Sequence, residues 1–382
     1  MTTKPDRIVS LDIVRGIVMV LMAIDHVRVY SGLPPGGPTA GIFFTRWITH
    51  FSAPAFCFLA GTSAYLLGRK LGDTRALARY LVTRGLVLVL LELTVIRLAW
   101  TFNFDYDEYI LAGVIWMLGW CMVLLAGLVR FRTRTIGIVG LVVILFQQVL
   151  YAVSNVTPES ARWILRLLYL GGRIQLGAGG PVFAVLYVIV PWIGVMAAGY
   201  AFGNIMVRES AERRRLCVRI GLSATALFVA GAAVLVAVTP ASVDSSPTLF
   251  RILNQQKYPA SQLFLLMTLG PTIAVIPLLE RARGFIADAL AVFGRVPMFY
   301  YLLHIPLIHA AAMFVSLIRQ GTVVGWLYGN HPMMPPPQPD GYMWSLPLLY
   351  LVFVICIVLL YFPCRWYARE RAERRGTWLR YI

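Results

Sequence analysis

Ionisable side chains interrupt otherwise apolar sequence at a few places, and the densest set comes first. The chain reads Ser10-Leu-Asp-Ile-Val-Arg-Gly and continues to Met22-Ala-Ile-Asp-His-Val-Arg. At about 100° per residue, Asp12, Arg15, Met19, Met22 and His26 fall on one helical stripe, with Arg15 and His26 about 16 Å apart along the axis. Asp25 lies beside His26, off that stripe. Such a set can do acid–base chemistry: the imidazole accepts a proton near neutrality, a carboxylate orients it, and a guanidinium holds phosphate through paired hydrogen bonds. The competing reading is structural, with a local Asp12–Arg15 pair and a packed His26. It leaves Asp25 without a role.

Other polar residues sit in similar surroundings. Arg46 and His50 precede Ser52-Ala-Pro-Ala-Phe, and His50 is about two turns inside an apolar run. Arg46, nearer its edge, is a site residue or an interfacial anchor. Glu92 and Arg97 suit a structural ion pair with neighbouring helices, and Arg84 could reach either a phosphate or lipid headgroups. In Phe293-Gly-Arg-Val-Pro-Met-Phe-Tyr-Tyr-Leu-Leu-His-Ile-Pro-Leu-Ile-His, His304 is central, and His309 is five residues on, about 140° around the helix. Two imidazoles at that spacing do not chelate one metal, so no metal is expected, and His309 reads as hydrogen-bonded packing. Gly171 to Gly180 is glycine-rich but matches no phosphate loop, and no strand is expected before it.

The elements that carry these residues follow from composition. Of 382 residues, 59% are hydrophobic and only 13% charged. Ordinary soluble domains carry about 25% charged residues, so a disordered, fibrous or soluble protein is excluded. Apolar windows of about 20 residues predict ten membrane spans, near 11–31, 42–68, 80–100, 109–129, 135–154, 183–205, 219–238, 260–279, 297–317 and 344–364. The expected fold is therefore all-α, one polytopic membrane domain over 1–382.

The net charge of +17 is not a nucleic-acid footprint, because the basic residues cluster between spans on one side. That side holds Lys4 and Arg7; Arg69, Lys70, Arg75 and Arg79; Arg130, Arg132 and Arg134; Arg208, Arg213, Arg214, Arg215 and Arg219; Arg281 and Arg283; and Arg365, Arg369, Arg371, Arg374, Arg375 and Arg380. The opposite loops hold Arg162, Arg166, Arg173, Arg251, Lys257 and Arg319. The bias predicts both termini in the cytoplasm.

Trp100, Trp326, Trp344 and Trp366 suit an interfacial belt, and residues around Trp163 suit a short interfacial helix. Outer loops 155–182, 239–259 and 318–343, the last Pro-rich from Pro332 to Pro339, could cover or gate a site. The first apolar run lacks a small-residue cleavage site and carries charges, which suits a retained span and not a signal peptide. Five cysteines without a CxxC pair imply neither disulfides nor zinc.

The opening run through Ala23-Ile-Asp-His resembles that of bacterial membrane proteins grouped with the heparan-alpha-glucosaminide N-acetyltransferase catalytic domain. The resemblance extends through Trp47-Ile-Thr-His-Phe-Ser-Ala-Pro, Phe58-Leu-Ala-Gly-Thr-Ser, Pro191-Trp-Ile-Gly-Val-Met-Ala-Ala-Gly-Tyr, Lys257-Tyr-Pro-Ala-Ser and Gly294-Arg-Val-Pro-Met-Phe-Tyr-Tyr-Leu-Leu-His. Arg15-Gly16 followed by His26 is also similar to the first-span motif of the acyltransferase-3 family.

The resemblance implies an integral-membrane acyltransferase of the bacterial inner membrane. It would move an acyl group, acetyl in the first instance, from cytoplasmic acetyl-CoA or another acyl-CoA to a sugar or other hydroxyl or amine acceptor. Under that reading Arg15, Arg84 and Arg46 hold the coenzyme, His26 is the general base, Asp25 orients it, and His50 or His304 stabilises charge. Direct transfer and an acyl-histidine intermediate both remain open. Expected partners are the acyl-CoA, a small-molecule or glycan acceptor, membrane lipids and a second copy of the chain, but no nucleic acid. A transporter or lipid flippase is the alternative from another class, disfavoured because no repeated halves are seen. An inactive scaffold is a third.

Overall fold

The computed structural model describes residues 8–36, 39–240, 246–333 and 335–373. Of the basic residues above, Lys4, Arg7, Arg374, Arg375 and Arg380 lie outside these. The chain opens with α1 (Val9–Ser31), α2 (Ala40–Trp47), a 3-10 turn (Ile48–Phe51), α3 (Ser52–Leu71) and α4 (Thr74–Leu91). A π-helical turn (Glu92–Ile96), α5 (Arg97–Thr101), β1 (Tyr109–Ala112), α6 (Val114–Leu128), α7 (Thr133–Phe146) and α8 (Val149–Val156) follow. Next come α9 (Glu159–Leu165), a second π-helical turn (Arg166–Leu170), β2 (Gly172–Gln175), β3 (Val182–Val185) and α10 (Val190–Met206). The remainder is α11 (Ser210–Val238), α12 (Thr248–Leu253), α13 (Gln262–Leu279), α14 (Phe285–Arg295), α15 (Pro297–Gln320), a 3-10 turn (Gly325–Tyr328) and α16 (Leu346–Glu373).

Helices dominate, as expected for the composition. By length and apolarity five stretches can cross a membrane: α2 and α3 taken together, α11, α13, α15 and α16. The pair α7 and α8, bent by 57°, makes a sixth if it forms one span. The other four predicted spans fall on α1, α4, α6 and α10. Asp12, Arg15, Asp25 and Arg28 interrupt the apolar run of α1, and α6 and α10 are shorter.

Three expectations need correction. The fold is not purely helical: a small sheet, ordered β1-β3-β2, pairs β1 parallel and β2 antiparallel to β3. Its four-residue strands are too short to show a period of two, and β2 lies within the glycine-rich stretch Gly171 to Gly180, which a π-helical turn and not a strand precedes. The predicted third span is not one regular α-helix, since a π-helical turn at Glu92–Ile96 lies between α4 and α5. Finally, Trp100, Trp326 and Trp344 are buried in protein, leaving Trp366 exposed among the four assigned to a belt.

Contacts divide the chain into two units. One comprises Met1–Ser52, Arg214–Leu222 and Pro271–Ile382. In it α1 is enclosed by α14, α15, α16 and the Ile48–Phe51 turn. Most of its residues are buried, on every face, which suits a central element. Its crossing with α14 is backbone on backbone: a methyl at Gly16 would lie 1.9 Å from the Leu290 oxygen, and one at Gly294 1.8 Å from the Asp12 oxygen. Only glycine permits that approach, the small-residue mode of close helix packing in membranes.

The other unit comprises Ala53–Arg213 and Ser223–Gly270. It repeats the device, with Gly85 against Gly119, Gly140 against Gly194, and Gly61 and Gly199 where α3 meets α10. Here too lie Glu92 and Arg97, which do not form the expected ion pair with neighbouring helices. Glu92 Oε2 accepts the backbone N–H groups of Ile115 and Trp116 at 2.9 and 3.2 Å, capping the start of α6. Arg97 donates to the carbonyls of Tyr109, Asn103 and Asp105 and to the side chains of Thr101 and Asn103, with Tyr106 and Tyr109 against its guanidinium. Both roles are structural.

Candidate functional site

All five histidines of the chain fall in the first unit. His26 on α1 and His304 on α15 meet directly, with His26 Nδ1 2.7 Å from His304 Nε2 and ring centroids 4.8 Å apart. The α1–α15 contact makes this possible, and the i, i+4 geometry of α15 surrounds His304 with its own helix. His304 Nδ1 lies 2.7 Å from the Tyr301 carbonyl and 3.2 Å from that of Tyr300, and the ring packs between Tyr300 and Tyr301. Tyr300, fully buried, donates its hydroxyl to the Met19 carbonyl and so ties α15 to α1 one turn further in.

These contacts assign the tautomers. Carbonyl oxygens only accept, so His304 Nδ1 carries a hydrogen, and in the neutral ring Nε2 is then an acceptor. With both rings neutral, His26 supplies the hydrogen between them from Nδ1. Its basic lone pair is thereby placed on Nε2. A proton arriving at that nitrogen makes His26 an imidazolium without breaking any of these hydrogen bonds. His304 thus plays the orienting part usually given to a carboxylate or carbonyl.

The other predicted residues divide between the two units. Asp25, expected to orient His26, accepts from Arg28 Nε at 2.9 Å, while Arg28 Nη1 donates to the Leu33 carbonyl. Arg15 makes the local pair anticipated as the competing reading, Nη1 to Asp12 Oδ1 at 3.1 Å, and donates to the Gly294 carbonyl at 2.9 Å. His50 is buried on the Ile48–Phe51 turn, which packs on α1; the next residue, Ser52, donates to the Val18 carbonyl at 3.0 Å. Arg46 is half-buried, with its guanidinium alongside Gly36. Arg84 belongs to the second unit, where it donates to the Tyr80 hydroxyl at 2.7 Å. His309 is fully buried and stacks on Tyr30 at 4.8 Å, the packing role expected of it. Among the described residues, no group of three or more His, Cys, Asp or Glu is placed to hold a metal ion.

Two features escaped sequence reasoning. The Tyr300-Tyr301 carbonyls that set the His304 tautomer are backbone groups, which residue types do not reveal. Asn330 and His331, both buried, come from the Pro-rich loop, and Asn330 donates to the Val29 carbonyl at 3.0 Å, one turn beyond His26. An amide and an imidazole inside a loop otherwise rich in Pro and Met were the available signal.

The protein-family profile described as "Heparan-alpha-glucosaminide N-acetyltransferase, catalytic" matches residues 7–239. The match takes in Arg15, Asp25, His26, Arg46, His50 and Arg84; His304 lies beyond it. Comparison with curated proteins finds no match.

Proposed function

The chain belongs to the heparan-alpha-glucosaminide N-acetyltransferase catalytic family, and from that premise we propose that it is an integral-membrane acyltransferase whose base is His26 Nε2. The observation that carries this reading is the 2.7 Å His26–His304 bond, with the tautomers it dictates. The donor is acetyl-CoA or another acyl-CoA, a co-substrate. The acceptor is a sugar or another hydroxyl or amine.

In direct transfer, the acceptor oxygen or nitrogen attacks the thioester carbonyl and its proton passes to His26 Nε2. The carbon–sulfur bond breaks, and the CoA thiolate leaves and takes that proton. Throughout, His26 Nδ1–H stays bonded to His304 Nε2, which keeps the ring oriented for both transfers. A base so placed contributes typically about 10² to 10⁴-fold. His50 assists by stabilising charge. Arg15, whose Nη1 donates to Asp12 and the Gly294 carbonyl, is the phosphate contact in this reading. Arg46 is a further phosphate contact in this reading.

We further propose ten spans with both termini in the cytoplasm of a bacterial inner membrane. The one-sided clustering of Lys and Arg supports that orientation. The test is acyl-CoA-dependent transfer by purified wild type and His26→Ala. Loss of turnover with retained thermal stabilisation by acetyl-CoA supports the reading, and unchanged turnover in the variant removes His26 from the mechanism.

A further inference from the structure

The last four carbonyls of an α-helix have no partner within the helix. At the end of α1 the segment between α15 and α16 supplies them from a distance. Asn330 Nδ2 donates to the Val29 carbonyl at 3.0 Å, the Tyr342 hydroxyl to Tyr30 at 2.8 Å, and the Trp344 backbone N–H to Ser31 at 3.0 Å. The Gln338 amide, oriented so that both its ends are satisfied, donates to the Gly32 carbonyl at 2.8 Å and accepts from Met343. Four successive carbonyls, 29 to 32, are thus held by side chains and backbone about 300 residues away. Asn330, Tyr342 and Trp344 are buried.

The segment is itself braced. Trp326 Nε1 donates to the Pro336 carbonyl, Trp326 packs on Tyr342, and Arg319 on α15 donates to the Tyr342 carbonyl. On the other side of the same turn, Tyr30 stacks on His309, repeating one turn onward the His26–His304 stack. The turn that follows His26 is therefore clamped between α15 and the strap.

We propose that Tyr342 and Asn330 are positioning residues of the transfer reaction, fixing the height and rotation of the turn after His26 so that its Nδ1 stays within reach of His304 Nε2. The proposal rests on the reading of His26 as the base. The contact it protects is intolerant: nitrogen–nitrogen hydrogen bonding fades within a few tenths of an ångström beyond about 3.2 Å, and a displacement of about 1 Å at a reacting group costs about 10²-fold. Neither residue touches the reacting atoms, so their loss acts on rate and not on donor binding.

The experiment uses the full-length protein purified in detergent, as wild type, Tyr342→Phe, Asn330→Leu and His26→Ala. Turnover is measured with acetyl-CoA and p-nitrophenyl glucosaminide as the probe acceptor, and the ring nitrogens of ¹⁵N-labelled histidine are observed by NMR, with His26→Ala identifying the His26 signals. Tyr342→Phe deletes one oxygen and preserves the ring. The expected result is a tenfold or greater fall in kcat, a KM for acetyl-CoA within twofold of wild type, and a mixture of tautomers at His26 where wild type shows Nδ1–H alone. Unchanged kcat and unchanged ring-nitrogen signals in both variants overturn the inference, even if the melting temperature falls, since the strap would then be structural only. Full turnover by His26→Ala overturns the reading of the base, and this inference with it. If wild type does not use the probe, the NMR arm decides alone: mixed tautomers in Tyr342→Phe support the positioning role, and wild-type signals refute it.

Discussion

Gly16→Ala tests whether the close crossing of α1 and α14 holds the unit that contains the histidine pair. The added methyl would lie 1.9 Å from the Leu290 oxygen, 2.6 Å from its carbon and 3.0 Å from its Cα. All three are backbone atoms, so no side chain can swing away. To reach ordinary van der Waals contact the helices must part by roughly 1.3–1.5 Å at this point. Overpacking of this kind costs about 1–3 kcal/mol, toward the upper end where backbone must move. At about 2–4 °C per kcal/mol for a folding unit of about 150–250 residues, a loss of about 2–3 kcal/mol lowers the melting temperature by about 4–12 °C. The same displacement stretches the 2.9 Å bond from Arg15 to the Gly294 carbonyl out of hydrogen-bonding range. All five cysteines are free and buried, so a thiol-reactive dye reads unfolding directly. Gly127→Ala is the control: a methyl there meets nothing within 4 Å, and the helix gains about 0.5–1 kcal/mol from the more restricted residue. If Gly16→Ala melts within 1 °C of wild type while the control behaves as stated, the backbone-on-backbone crossing is wrong (the 1 °C margin is about 0.3 kcal/mol).

Glu92→Gln replaces a buried carboxylate that accepts two N–H groups at the start of α6. Gln keeps an oxygen to accept both N–H groups but not the charge, so stability is expected to fall by about 1 kcal/mol in the same melting assay, with turnover per folded molecule unchanged. Gly32→Ala places a side chain where φ is +73° and where its methyl would lie 2.4 Å from the Gln338 amide. A stability loss of about 1–3 kcal/mol follows from the left-handed backbone alone, and faster proteolysis within the strap reports its detachment. His309→Phe keeps the stack on Tyr30 while removing the imidazole. Turnover is expected to stay within threefold of wild type, and a loss comparable to that of His26→Ala would move His309 into the chemistry.

Legibility differed by the kind of interaction involved. The polar stripe of α1 stood out because charges in apolar sequence are rare, and its burial inside the unit agrees with a helix that keeps those groups away from lipid. His304 was identifiable by type, but its pairing with His26 spans 278 residues of sequence and depends on how α15 packs on α1. Asp25 is adjacent to His26 in sequence, side chains adjacent on a helix point about 100° apart, and Arg28, three residues on, bonds its carboxylate. Glu92 and Arg97 were legible as buried charges but not in role, because both bond backbone groups that any residue type carries. The short strands and α14 escaped because four and eleven residues are too few to show a decisive pattern. The Pro-rich loop was visible as a candidate cover, whereas its grip on the end of α1 is a product of tertiary contact.

The account turns on His26 and His304 working as one unit, and a double-mutant cycle in kcat measures that directly. Purified His26→Ala, His304→Ala and the double variant are compared with wild type in acetyl-CoA-dependent transfer. Residues that act through one another are strongly non-additive, so the double variant is predicted to be no slower than His26→Ala alone. Losses that simply multiply would show two independent roles and contradict the account.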